Sequence, residues 1–590
     1  MKYSDQLAIW LAELGYTHCF FVAGGNIMHL LESCSHRFTC IPVVHEVAAG
    51  IAAEYFNEAS ISGRAFALVT AGPGLTNIIT AMAGAYLESR ELLVIGGQVK
   101  VADLARGQVR QRGIQEIDGV SLARPVAITS LLLEKVVDHY EFSRIAESGS
   151  QGRKGPVFLE IPLDVQGSIV DPKELNVTPP YFSDVVQPVS QAILQDIVSG
   201  LRDAKRPVLL LGGGIDRATS ERVLDRLASI GIPVMVTWNG IDRVHEDHPL
   251  FFGRPNTWGQ RSANILMQQS DFLVALGTRL GLQQTGFCWQ QFIPVGKVIQ
   301  VDCDPAELTK GHPKVDLPVC GDANGVLEYI AAQDKYSDYS GWIEFCQTVR
   351  QAIPLNDPAN HTGDGFVSPY DFCLKLSALC TPQDVIIPCS SGSANTVMMQ
   401  TFLTKRGQRV FNDKGLASMG YGLSGAIGAA FAASGRRTFL VEGDGGFLQN
   451  LQELGTVFVN RLNLKIFIFD DNGYASIRMT QKNYFGGRYV GCDTSTGLGI
   501  PVWSKLFEAY GIPLQELRPG FEQDVTFLEA INAPGPAAFT VKIDPEQTYF
   551  PKISSRVTAS GSMESNPLHF MTPSLEEDVA VKVFRFLSPA

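Results

Sequence analysis

The sequence contains no apolar run approaching the roughly 18 to 20 residues that cross a bilayer, so no membrane-spanning helix is expected. It has no C-x-x-C pair, and its 11 cysteines are an odd number. Neither a zinc site nor a disulfide framework is indicated, and reduced, mostly buried thiols are expected. Basic charge is in deficit, with 48 Lys and Arg against 60 Asp and Glu and a net charge of −12. Nucleic acid or an anionic membrane is therefore not the expected partner, and any phosphate must be bound locally. Short-period repeats and low-complexity tracts are missing too. The opening segment MKYSDQLAIWLAEL mixes acids into an amphipathic helix instead of a signal h-region, from which a cytoplasmic location is expected.

What is present is a chain of 590 residues, 45% hydrophobic and 18% charged, the balance of globular proteins with large cores. That length suits three domains. Apolar β-rich runs alternate with helical patterns, as in FALVTAG, LTNIITAMAGAYLES and LLVIGGQ, the signature of an α/β fold with parallel sheets flanked by helices. Residues 1–170 form a first block, and a Pro-rich linker follows around residues 170–190. Residues 190–335 form a second block, residues 366–550 a third, and residues 551–590 a Ser/Thr/Pro tail ending in a short helix from Ser574.

The third block carries the strongest chemical signal, RTFLVEGDGGFLQNLQELGTVFVNRLNLKIFIFDDNGYASI. Read as strand, Gly-rich turn, helix, strand and turn, it places Asp444 and Asn472 at the carboxyl ends of two neighbouring parallel strands. A carboxylate, an amide oxygen and the backbone carbonyl of Tyr474 suit one hard cation, and Mg2+ would keep open positions for the oxygens of a diphosphate. Gly443, Gly445 and Gly446 let the backbone approach that diphosphate, and a helix beginning near Phe447 offers its amides. A GDGG turn alone is more often an ordinary βα turn; the Asn 28 positions later reverses that preference. In the first block, VVHEVAAGIAAE sets Glu46 at the opening of a helix whose small residues Ala48, Ala49, Gly50, Ala52 and Ala53 permit close packing. Such a Glu by itself is more often a helix-start or surface acid.

Together the motifs FFVAGGNIMHLLE, VVHEVAAGIAAE, VTAGPGLTNIITA, GPVFLEIPLDVQ, GLASMGYGLSGAIGAA and GDGG through DDNGY resemble the thiamine-diphosphate enzymes of the acetohydroxyacid synthase and pyruvate oxidase superfamily, across nearly the whole chain. The resemblance implies that the first block binds the pyrimidine ring and the third the diphosphate. Glu46 would then hydrogen-bond the pyrimidine and relay a proton, which requires burial in low dielectric. Gln115 would be the other catalytic side chain. Gly24, Gly25, Pro73, Asn77, Gly392, Ser393 and Met419 would contact the cofactor, with Met419 as the apolar wedge under its bend.

The middle block resembles the FAD-binding domain of the same enzymes. FAD would lie along the Gly-rich turns Gly212, Gly213 and Gly277, with Arg153 and Arg279 at its phosphates and Thr237, Asp302 and Asp322 near ribose or adenine. The alternative is a relict domain that keeps those glycines for packing alone.

The acceptor side departs from the synthases. Gln481 stands where they carry a Trp, Ile114 where they carry a Phe, and Ser393-Ala394 where they carry Gln-His. The His pair of pyruvate decarboxylases is also missing, residues 113 and 114 being Gly-Ile. Without that proton donor, transfer to a second carbonyl is favoured over simple decarboxylation. The expectation is a carboligase that decarboxylates pyruvate and transfers the two-carbon acetyl unit to a carbonyl acceptor, a ketone or keto-sugar first, through a pocket at Ile114 and Gln481. Condensation of two pyruvates to acetolactate is the alternative, and a catalytically silent nucleotide-binding subunit the second. A homo-oligomer is expected, dimer or tetramer, with each site shared between chains.

Overall fold

The computed structural model describes residues 1–175, 186–557, 561 and 563–587. Residues 176–185 of the expected linker lie outside the described residues. Three parallel sheets, each flanked by helices, give the three-domain α/β architecture expected from the sequence.

The N-terminal sheet comprises β1 (Tyr16–Phe21), β2 (Thr39–Pro42), β3 (Arg64–Val69), β4 (Leu92–Gln98), β5 (Thr129–Leu132) and β6 (Pro156–Pro162), in the order β2-β1-β3-β4-β6-β5. β4 and β6 are buried at every residue, as continuous apolar runs must be when helices cover both faces of a parallel sheet. The middle sheet comprises β7 (Pro207–Leu211), β8 (Val234–Val236), β9 (Phe272–Leu276), β10 (Lys297–Asp302) and β11 (Leu317–Cys320), in the order β11-β10-β9-β7-β8. The C-terminal sheet comprises β12 (Val385–Ile387), β13 (Arg409–Val410), β14 (Thr438–Gly443), β15 (Leu464–Asp470), β16 (Leu514–Leu517) and β17 (Ala537–Lys542), in the order β13-β12-β14-β15-β17-β16. Numbered from its own first strand, this winding repeats that of the N-terminal sheet.

The N- and C-terminal domains share one hydrophobic core. Helix Glu46–Ala59 lies against helix Tyr421–Ala432, and the small residues of each let the backbones approach closely. A Cβ on Gly428 would sit 2.0 Å from the carbonyl oxygen of Ala52, and one on Gly425 would sit 2.7 Å from the Tyr55 ring. Polar anchors surround this crossing. The buried Glu54 carboxylate accepts hydrogen bonds from Tyr421 Oη at 2.6 Å and Arg90 Nη1 at 2.9 Å, while Arg90 Nη2 donates to the Asn412 carbonyl at 2.7 Å. Burial raises Glu54 to about 7, against the pull of Arg90 and Tyr421.

The tail is more ordered than its composition suggests. β18 (Ser555–Val557) pairs antiparallel with β19 (Met563–Ser565), and the final helix is Glu577–Val583, not a helix from Ser574. Leu568 and Val583 enter the middle-domain core, where Gln269 bonds the Val583 carbonyl and the amides of Arg585 and Phe586. All 11 cysteines are free, seven of them buried. Among the described residues no helix is long and apolar enough to cross a membrane.

Gly428→Ala is expected to destabilise the chain by about 1 to 3 kcal/mol, the usual cost of overpacking. Gly341→Ala, where a Cβ meets nothing within 4 Å, serves as the control. Urea unfolding of the two variants measures the difference; equal midpoints would show that the crossing tolerates a methyl group.

Candidate active site

β14 and β15, the two central strands, pair in parallel through Gly443 and Phe469, so the residues following them emerge side by side at the carboxyl end of the sheet. Asp444 is fully buried there, its Oδ1 accepting the Gly445 N–H at 2.6 Å and its Oδ2 the Gly473 N–H at 2.9 Å. Asn472 adopts a left-handed φ of 68°, a conformation that Asn tolerates better than most residues. Its Oδ1 accepts the Thr494 hydroxyl at 2.9 Å. The Tyr474 carbonyl already takes the N–H groups of Ile477 and Arg478, both at 2.9 Å, so a cation would have to share it with the start of helix Ala475–Phe485.

Charge balance indicates what this end of the sheet could hold. Asp471 is paired with Arg478 at 2.9 Å, and Asp470 contacts Lys542. Asp444 forms no ion pair among the described residues. Burial, then Asp471 and Asp470, drive its pKa well above the ordinary carboxylate range. A divalent cation removes that penalty, and a site of one carboxylate, one amide oxygen and one carbonyl fits Mg2+ completed by phosphate oxygens. No cluster of three or more His, Cys, Asp or Glu arranged to hold a metal exists among the described residues.

The three glycines of GDGG serve different ends. Only Gly443 has open space where a Cβ would stand; one on Gly445 would meet the Tyr474 ring at 2.3 Å, and one on Gly446 the Glu442 carboxylate at 3.1 Å. The helix expected near Phe447 begins at Asp444 and spans only Asp444–Phe447. A second opening lies at Gly392, which has φ 76° and no atom within 4 Å of a Cβ, at the start of helix Gly392–Thr401 with Ser393 beside it. Met419 precedes Gly420 on a turn held by Asn450, which donates to the Gly420 carbonyl at 2.8 Å, and by Ser390, which donates to the Ser418 carbonyl.

In the N-terminal domain Glu46 follows β2 and is 8% exposed; Asn77 Nδ2 donates to its Oε2 at 2.9 Å. Pro73 opens the helix that carries Asn77. Gly24 packs against Thr70, whereas Gly25 is open. Gln115 has φ 61°, and Gly72 must be glycine to clear it, since a Cβ there would lie 2.4 Å from the Gln115 carbonyl oxygen. A further link between the two halves is Glu453, which sequence reasoning missed. Its carboxylate accepts the N–H groups of Val44 and His45, both at 3.0 Å, immediately before Glu46. The one signal for it was the run NLQEL downstream of GDGG. Sequence reasoning missed Arg478 as well, six positions beyond Asn472, whose Nη1 donates to the Asn472 carbonyl at 3.2 Å. Among the described residues, no hydrogen bond joins Glu46 to Asp444, Asn472 or Met419 within the chain.

Gln481 braces a loop: its Nε2 donates to the Val490 carbonyl at 3.1 Å and its Oε1 accepts the Val490 N–H at 2.9 Å. Ile114 is 84% exposed.

A cavity of about 580 Å³ opens between the three domains, lined by Arg153, Gly213, Thr237, Gly277, Arg279, Asp302 and Asp322 among others. Gly212 is not part of the lining; a Cβ there would strike the Gly277 carbonyl at 2.2 Å, so it is a packing glycine. Asp322 uses both oxygens to cap helix Ala323–Ala331, on the amides of Asn324 and Gly325. Arg153 is engaged by Asp304 at 2.5 Å and Glu307 at 3.0 Å. The Arg279 side chain makes no hydrogen bond or ion pair among the described residues, and it remains available to a phosphate. Size, glycine turns and Arg279 fit a dinucleotide.

The fold is that of a three-domain α/β enzyme, and the residues at Asp444 and Asn472 could hold a diphosphate through a hard cation. The chain belongs to the thiamine-diphosphate enzymes of the acetohydroxyacid synthase and pyruvate oxidase superfamily. Three family models match it: "Thiamine pyrophosphate enzyme, N-terminal TPP binding domain" over residues 1–122, "central domain" over 194–330 and "C-terminal TPP binding domain" over 390–541. It is 32% identical over 566 residues to a probable acetolactate synthase large subunit of Methanocaldococcus jannaschii, covering 93% of each chain. To the acetolactate synthase isozyme 1 large subunit of Escherichia coli K12 it is 28% identical over 546 residues, covering 90% of this chain and 92% of that protein.

Asp444→Ala is expected to abolish magnesium-dependent binding of thiamine diphosphate. Titration calorimetry measures it, and unchanged affinity would remove Asp444 from the metal site.

Proposed function

We propose that the chain decarboxylates pyruvate with thiamine diphosphate and Mg2+ and joins the two-carbon unit to a second pyruvate, giving acetolactate. The observation that carries this reading is the uncompensated buried Asp444 beside Asn472, in a chain whose relatives across about nine-tenths of its length are acetolactate synthases. The order of acceptors drawn from the sequence is thereby reversed, with pyruvate ahead of a larger ketone. The ketone stays as a second reading because no large aromatic side chain stands at positions 114 and 481.

Bound cofactor would supply the electron sink for loss of carbon dioxide. The protein's own groups then divide the work. Asp444 and Asn472 hold the cation, Gly443 and Gly392 leave room for phosphate oxygens, and Met419 fixes the bend. Glu46, held by Asn77, moves a proton at the pyrimidine. FAD belongs to the proposal as a structural occupant of the cavity at Arg279. The active form is a homo-oligomer in which Glu46 of one chain serves Asp444 of another; exposed Ile477, Phe485, Val490 and Val502 beside the metal loop supply apolar surface for that contact.

Incubation with pyruvate, thiamine diphosphate and Mg2+ is expected to yield acetolactate, more than any acyloin formed when a cyclic ketone competes, and the denatured protein is expected to release flavin. Acetaldehyde as sole product would refute the carboligase reading, and a colourless extract the FAD assignment. Glu46→Gln is expected to lose on the order of a hundredfold in turnover. If sites are shared, refolding equal amounts of Glu46→Gln and Asp444→Ala chains together restores roughly a quarter of wild-type activity, because one of the two sites in each mixed dimer is intact. No recovery would mean that each chain builds its own site.

A further inference from the structure

Between Leu104 and Asp118 the chain has no helix or strand, yet it ends by presenting Ile114 and Gln115 to solvent. Backbone N–H groups in such a segment need acceptors, and here one side chain supplies them. Glu116 Oε1 accepts the Ala105 N–H, and its Oε2 accepts those of Arg112 and Gly113, both at 2.9 Å. Its own carbonyl takes the Gln111 side chain at 3.3 Å. The far end is fixed from beneath, where Gln98 Nε2 donates to the Ile117 carbonyl at 3.0 Å and to the buried Glu160 at 3.1 Å. Gly113 presses on Val99, where a Cβ would come within 2.6 Å. Between these supports Gln115 is held at φ 61°, a conformation that costs a non-glycine residue free energy and persists only where neighbours enforce it.

We propose that Glu116 is the positioning residue that folds segment 105–116 and thereby aims Gln115 and Ile114 at the acceptor, an inference that rests on the carboligation reading above. A carboxylate suits the task because its two oxygens can be shared among three amides on opposite sides of the loop. Burial opposes its charge, but those amides outweigh burial and hold its carboxyl below the usual range.

The structure gives each variant a distinct signature. Glu116→Ala removes both side-chain acceptors. Glu116→Gln keeps one oxygen, enough for Arg112 and Gly113, and turns an NH2 group toward Ala105. In the holoenzyme, hydrogen exchange is expected to show lost protection at Ala105, Arg112 and Gly113 in Glu116→Ala, and at Ala105 alone in Glu116→Gln. A misplaced loop is expected to lower kcat for joining the two units by about tenfold to a hundredfold. Thiamine diphosphate affinity should stay within about twofold, and more of the two-carbon unit should leave as acetaldehyde because water reaches the site. Glu116→Gln should fall between. Wild-type exchange, an unchanged product ratio, or an equal loss of cofactor affinity would each overturn the proposal. If the wild-type enzyme makes no acetolactate or acyloin, the carboligation reading and this inference about it fall together, while the exchange pattern still shows whether Glu116 organises the loop.

Discussion

The crossing of helix Glu46–Ala59 with helix Tyr421–Ala432 is the contact on which the rest of the molecule depends. It merges the N- and C-terminal domains into one core. It also places Glu46 at one helix start and Met419 just before the other. Small side chains make this possible, since a backbone-to-backbone approach gains dispersion contacts that larger residues would block. Tyr421, Glu54 and Arg90 then lock the rotation of the two helices through buried hydrogen bonds, which cost much to leave unmade.

A second constraint is electrostatic. The carboxyl end of the C-terminal sheet gathers Asp444, Asp470 and Asp471, and only two of them have a cation of their own. Asp444 is left with no cation of its own among the described residues, and ionising it there is costly, so this is a place where a divalent cation would relieve the penalty. Arg478 contributes twice, neutralising Asp471 and gripping the carbonyl of the left-handed Asn472.

Much of this was legible in the sequence because it lies in strand periodicity and in the few residues just past each strand end. The three sheets, and the position of Asp444 and Asn472 just past two paired strands, follow from apolar runs and from the adjacency of strands joined by one crossover. What escaped were relations between side chains and remote backbone. Nothing in the local pattern of Gln481 indicates that its amide pairs with Val490 nine residues on. Gly445 and Gly212 look like phosphate-loop glycines, yet the groups they admit are the Tyr474 ring and the Gly277 carbonyl. Glu453 reaches Val44 and His45 from more than 400 positions away, a separation no periodicity encodes.

The shared winding of the outer sheets has a further consequence. The strand order of the N-terminal sheet, counted from β1, is that of the C-terminal sheet, counted from β12, so every loop in one half has a counterpart in the other. Gly24 and Gly392 follow the first strands, and Pro73 and Asp444 follow the third. The helices that open after the second strands are the two that cross. One element thus packs on its topological equivalent, with Gly428 against the Ala52 carbonyl. Equivalent positions of the two halves carry different chemistry, Pro73 after one third strand and Asp444 after the other, on a scaffold of the same winding.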